Sequence, residues 1–130
     1  MIETASLPLP PIAIRESDAA RLRLLADAAV THFPATADFL AAEIERADIR
    51  PDGQPLPDIV SMGSCVTFRD EANGAIRTVT LVYPEQADVS AGRISVLTPI
   101  GAALIGMSSG QAIAFRSPAG LRALRVLEVT

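Results

Sequence analysis

The placement of proline and glycine between Ile94 and Thr130, in ISVLTPIGAALIGMSSGQAIAFRSPAGLRALRVLEVT, leaves few folds open to this chain. Ile94 to Val96 reads as a short strand. Thr98 supplies an N-cap, and Pro99 suits the first helical turn, where its missing N–H is no loss. Gly106 suits the left-handed position just past a helix end, which limits the helix to one or two turns. Gly110 marks a turn. Two strand-like runs follow, near Gln111 to Phe115 and Leu121 to Val129, joined by Ser117-Pro118-Ala119-Gly120. The stretch therefore reads as strand, short helix and hairpin.

The preceding segment extends the same sheet. Ile59 to Met62 and Cys65 to Arg69 alternate as strand residues do, and Glu71-Ala72-Asn73-Gly74 has the turn chemistry for a hairpin into Ala75 to Tyr83. Pro84 ends that strand, and a loop through Asp88 to Gly92 leads to Ile94. Upstream again, residues 51–57 are dense in turn formers and mark a linker between a helical part, 14–50, and a sheet domain, 58–130. Pro8, Pro10 and Pro11 make residues 1–13 an extended lead-in.

Within 14–50 the apolar period is helical. Ser17 or Asp18 offers an N-cap, and Leu22, Leu25, Ala26 and Ala29 share one face through about Val30. Asp18 with Arg21 and Arg23 with Asp27 are spaced for opposite-charge pairs. Thr31 to Ala35 breaks the pattern. Thr36 can cap a second helix with Ala37, Leu40, Ala41, Ile44 and Ala47 on its apolar face. Two such stripes predict a short antiparallel hairpin, because a dozen residues at ~1.5 Å each span only about 18 Å. The fold class is α+β, with helices segregated from an antiparallel-rich twisted sheet that carries one short helix.

Composition narrows the functional classes. A chain of 130 residues that is 49% hydrophobic can fill one core, but not those of two full-sized domains. All eleven basic residues are Arg, and they are scattered along the chain, which points to codon usage rather than to a guanidinium site. A net charge of -4 disfavours nucleic-acid binding through phosphate contacts and favours a protein partner. Cys65 is the single cysteine, so it has no disulfide partner and reads as a small buried hydrophobe. The amino terminus lacks a basic segment followed by an apolar one, and no apolar run approaches about 18 residues. A cytoplasmic protein without membrane contact is expected.

No catalytic constellation emerges. His32 is the only histidine and cannot assemble a triad or a metal site alone. No His follows Ser61, Ser64, Ser108, Ser109 or Ser117 in the chain, as the triad of a G-x-S-x-G elbow requires. Gly101 to Ser108 does not complete a phosphate loop, because Met107 stands where that motif needs Lys and the chain has no Lys. No enzyme activity, cofactor or metal is expected. His32, Phe33 and Pro34 form the predicted hairpin tip, with Phe33 expected to fold back onto the hairpin rather than face solvent.

The run Thr98-Pro99-Ile100-Gly101-Ala102-Ala103-Leu104-Ile105-Gly106, with Gly110 and Ser117-Pro118-Ala119-Gly120, resembles the carboxy-terminal domain of the bacterial Gre transcript cleavage factors. Val60 to Arg69 and Thr80 to Pro84 are similar to the first strands of that domain. With its short helical amino-terminal half, the chain is most similar to a truncated branch of the family, the regulators of nucleoside diphosphate kinase (Rnk). The resemblance implies an FKBP-like sheet domain that docks on RNA polymerase near its secondary channel, and an effect on nucleoside diphosphate kinase levels through transcription. It places the docking residues among Thr98, Pro99, Ile100, Gly101, Leu104, Ile105, Gly106 and Met107, with Ile105 and Met107 expected to be the more exposed. Cleavage-active relatives carry an acidic pair at the apex of a long coiled coil, to help hold magnesium. Here the tip, Val30 to Thr36, has no carboxylate, and Asp27 and Asp38 only flank it. The implied role is competition with cleavage factors. The alternatives are a cleavage-active elongation factor and an interaction module for another protein. Prolyl isomerisation would need an aromatic-lined pocket, for which the sheet domain offers only Phe68, Tyr83 and Phe115.

Overall fold

In a computed structural model of the chain, residues 9–130 are described. The first eight residues of the expected lead-in, Pro8 among them, lie outside the described residues. Strand β1 (Ala13–Arg15) leads directly into helix α1 (Glu16–Ala29), which turns back into helix α2 (Pro34–Arg46) and strand β2 (Asp48–Arg50). An antiparallel helical hairpin returns the chain to its own base, so the flanking segments meet there. β1 and β2 pair in parallel, with Ile14 opposite Ile49. Nothing in the sequence marks this small sheet, since three residues are too few to show alternation.

The helix starts differ from the capping expected. Arg15 is held extended by the β1–β2 pairing, so α1 begins at Glu16 and places Ser17 and Asp18 inside its first turn. Glu16 and Asp18 there complement the helix dipole. Ser17 instead bonds Asp52, its hydroxyl donating to Oδ1 at 2.9 Å. α2 begins at Pro34, whose fixed φ suits the first position, with Phe33 rather than Thr36 as N-cap.

Five further strands form one sheet in the order β5-β4-β3-β7-β6. These are β3 (Cys65–Asp70), β4 (Ile76–Val82), β5 (Arg93–Ser95), β6 (Ala112–Ser117) and β7 (Gly120–Val129). All neighbours are antiparallel except β4 and β5. The β6–β7 turn closes tightly, Ser117 opposite Gly120, as Pro118-Ala119 demands. The architecture is α+β, as expected. Ile59 to Met62 is not a strand: Ile59 makes one bridge to Ser108, and a turn closed by Ser64 N–H to the Ser61 carbonyl ends the run. Cys65 opens β3 half-buried rather than buried.

One hydrophobic cluster spans both parts of the chain. Ile14, Leu22, Leu40 and Ile44 from the hairpin region pack in the same core as Val66, Phe68, Leu81, Leu104, Phe115 and Val126. Two helix positions depart from the stripe pattern. Ala41 is exposed, and Glu43 occupies the buried face, 2% exposed, with its carboxylate 2.6 Å from Arg46. The predicted charge pairs on α1 do not form among the described residues. Arg21 reaches out to Glu85 at 2.6 Å, and no ion pair joins Arg23 to Asp27.

Candidate functional site

The helix α3 (Pro99–Leu104) packs against α2 and β6, and its ends are set by local constraints. Thr98 is the N-cap: its Oγ1 accepts from the Gly101 N–H at 3.1 Å while donating to the Ser95 carbonyl at 2.7 Å. Gly101 allows α3 to touch the end of β5, since a Cβ there would lie 2.1 Å from the Ser95 carbonyl oxygen. Gly106 ends the helix with φ +81°, and a Cβ on it would meet Ile12 at 2.9 Å. Its N–H donates to Val60 and its carbonyl accepts from Ala13, so it joins the amino-terminal part to the sheet. These glycines serve close packing.

Of the eight residues expected to dock a partner, five point inward. Gly101, Leu104 and Gly106 are buried, and Ile105 and Met107, expected to be the exposed pair, are 1% and 0% exposed. The physical reason is that so short a helix has one side to spare, and the chain past Leu104 turns into the core, where Val60 N–H bonds the Met107 carbonyl. Thr98, Pro99 and Ile100 alone reach the surface, each half-buried.

Two apolar grooves meet at that surface. One, of about 530 Å³, lies between the start of α2 and the β6–β7 turn, lined by Leu9, Phe39, Phe115 and Leu121. The other, of about 440 Å³, lies between Val89, Ile94 and Ile100 and the same turn, and is bordered by Arg77, Arg93 and Arg122. Pro99, Ser117 and Pro118 line both. Phe68 and Tyr83 line neither, so the three aromatic residues of the sheet part are not assembled in one pocket. The convergence of the arginines was hidden in the sequence, where 45 positions separate Arg77 from Arg122. Asp70 and Asp88 face these cations. The Ala72 N–H and then Arg122 hold the Asp70 carboxyl below its usual range, and the Ser90 hydroxyl and the Ala91 N–H do the same for Asp88.

The hairpin tip presents His32, Phe33 and Pro34, all exposed. Phe33 is 55% exposed and does not fold back. Its N–H donates to Ala29 and its carbonyl accepts from Ala37, which fixes the backbone on both sides and leaves the ring outward. Asp27 and Asp38 are exposed on the flanks, and no three His, Cys, Asp or Glu side chains converge as a metal site among the described residues. No helix there is long and apolar enough to cross a membrane.

Comparison with known proteins matches both parts of the chain. Residues 54–130 match the description "Transcription elongation factor, GreA/GreB, C-term", and residues 10–49 match "Rnk N-terminus". The regulator of nucleoside diphosphate kinase of Escherichia coli (strain K12) is 37% identical over 121 residues, which cover 92% of this chain and 89% of that protein. A transcription elongation factor GreA of Syntrophobacter fumaroxidans is 43% identical over 67 residues, 52% of this chain and 43% of its own length. Among solved structures, a prokaryotic transcription elongation factor GreA/GreB from Nitrosomonas europaea superposes with a TM-score of 0.71 at 37% identity, covering 92% of this chain and 98% of that one.

Proposed function

The chain belongs to the GreA/GreB family of transcription elongation factors, with an Rnk amino-terminal half ahead of the shared carboxy-terminal domain, and from that membership we propose that it binds RNA polymerase near the secondary channel. Thr98, Pro99 and Ile100, with the adjoining β6–β7 turn, form the docking surface. The protein competes there with cleavage-stimulating relatives and adds no cleavage of its own. Through transcription it affects nucleoside diphosphate kinase levels.

The hairpin is the observation that carries this reading. Its helices of 14 and 13 residues reach only about 20 Å. The tip between them offers His32, Phe33 and Pro34 where magnesium would call for several carboxylate oxygens. A protein that occupies the docking site with such a tip blocks a cleavage factor without replacing it.

The test is co-purification with core RNA polymerase, with and without a competing Gre factor, followed by a stalled-complex cleavage assay. Binding that the Gre factor displaces, no added cleavage products, and reduced cleavage by the Gre factor in the presence of excess protein are expected. Robust cleavage lost in a D27N/D38N variant would identify an active cleavage factor. Failure to retain any polymerase subunit would identify a module for another protein.

A further inference from the structure

Arg77, Arg93 and Arg122 come from strands β4, β5 and β7 and border a single groove whose walls are otherwise largely apolar. Arg122 is 3.0 Å from Asp70 and Arg93 is 3.5 Å from Asp88, whereas Arg77 is exposed and has no ion pair among the described residues. Between them Val89 stands 79% exposed beside Ile94, Ile100 and Pro118. Three guanidiniums against two carboxylates leave this groove positive on a chain whose net charge is -4. We propose that the groove recognises an acidic segment of a protein partner, seating an apolar side chain against Val89 and Ile100 while flanking carboxylates pair with Arg77 and Arg93.

The inference deepens the docking reading and rests on it for the partner's identity, because Thr98, Pro99 and Ile100 line the same groove. Charge complementarity selects the occupant. A guanidinium binds a carboxylate through paired N–H donors, and a small surplus of positive charge suits one or two carboxylates. Nucleic acid is disfavoured, since binding a phosphate chain takes many cations and single strands stack their bases on aromatic rings. No aromatic side chain lines this groove.

The test measures binding of the full chain to core RNA polymerase by biolayer interferometry across a salt series, with variant folding checked by circular dichroism. An R77E/R93E variant should bind on the order of 30-fold more weakly at low salt and show a flatter salt dependence. R23E, on the exposed side of α1, should match the parent, and I100S should lose affinity while keeping the salt slope. If R77E/R93E binds like the parent while I100S does not, charged recognition is wrong and polymerase docking survives.

A second arm does not depend on polymerase. The 15N-labelled chain is titrated with a peptide of alternating Glu and Leu, with its Gln counterpart, and with a single-stranded RNA oligonucleotide. Amide shifts confined to the surroundings of Arg77, Arg93 and Ile100, caused by the Glu peptide alone, uphold the inference even if polymerase does not bind. No shifts with the Glu peptide overturn it, as do equal shifts with the Gln peptide. Shifts there with the RNA overturn the choice of a protein partner.

Discussion

The guanidinium carbon of Arg21 lies 3.6 Å from the centroid of the Tyr83 ring, and the same side chain reaches Glu85 at 2.6 Å. This contact ties α1 to the end of β4 across more than sixty residues of sequence. Stacking on an aromatic face contributes about 0.5–1 kcal/mol at an exposed site. The ion pair adds little, because its side chains are 57% and 62% exposed. R21A should therefore lower stability in urea by about 1 kcal/mol, and E85Q by less than about half of that. Equal losses would show that the ion pair dominates.

Tyr83 is the only tyrosine and the chain has no Trp, so phenolate absorbance reports this residue alone. Burial, and then the Asp18 carboxylate near its hydroxyl, push the Tyr83 phenol up to about 12. A raised value means the fold favours the neutral phenol. That stability is whole below the ordinary value of 10.0 and is lost as pH rises toward 12. D18N should bring the titration midpoint down, whereas R21A should raise it, because Arg21 opposes the shift. A midpoint unmoved by D18N would remove that carboxylate as a cause.

Two glycines should respond differently to the same change. Gly101→Ala places a Cβ 2.1 Å from the Ser95 carbonyl oxygen, a backbone atom that cannot swing aside. Loss of stability on the order of 3 kcal/mol is expected. Gly110→Ala meets open space and suffers only from φ +90°, a cost of about 1–2 kcal/mol. Thermal unfolding of the two variants side by side decides the matter, and comparable midpoints would show that α3 can shift away from β5.

Glu43 and Arg46 form the pair under the hairpin, where Arg46 also donates to the Pro10 carbonyl. Arg46→Leu should cost on the order of 3 kcal/mol, since it strands a buried carboxylate, and adding Glu43→Leu should restore much of the loss. Burial pushes the Glu43 carboxyl above its ordinary 4.5, with Arg46 opposing. The fold thus favours the protonated acid, and this contribution is full below the ordinary value and lost as pH rises through the folded one. Relative to the parent, E43Q should gain stability between about pH 5 and about pH 7.5. Urea titrations at the two pH values check this, and a relative loss would reverse the sign.

A fragment of residues 56–130 keeps the sheet and α3. We propose that it folds, since Val66, Phe68, Leu81, Ile113, Phe115 and Val126 surround one another there. It lacks Ile12, Ile14, Leu22, Leu40 and Ile44 from the shared core. A dispersed amide spectrum with a clearly lowered urea midpoint is expected, and a collapsed spectrum would make the hairpin obligatory for folding.

Sequence alone determined what is decided within a few residues. Thr98 can cap α3 because its hydroxyl needs only to reach the amide three positions on, Gly106 can end it because that requires φ +81°, and Pro118-Ala119 can close a hairpin because the turn is two residues long. The helical period of Leu22, Ala26, Leu40 and Ile44 was legible for the same reason, as was the family likeness those local signals carry. Contacts between distant segments were not. The β1–β2 pairing, the burial of Ile105 and Met107, the reach of Arg21 to Glu85 and the gathering of Arg77, Arg93 and Arg122 each depend on where the sheet and hairpin come together. A short apolar helix can bury either side, and a long cation can serve any neighbour within its reach. Only the packed core chooses, by fixing which backbone lies next to which.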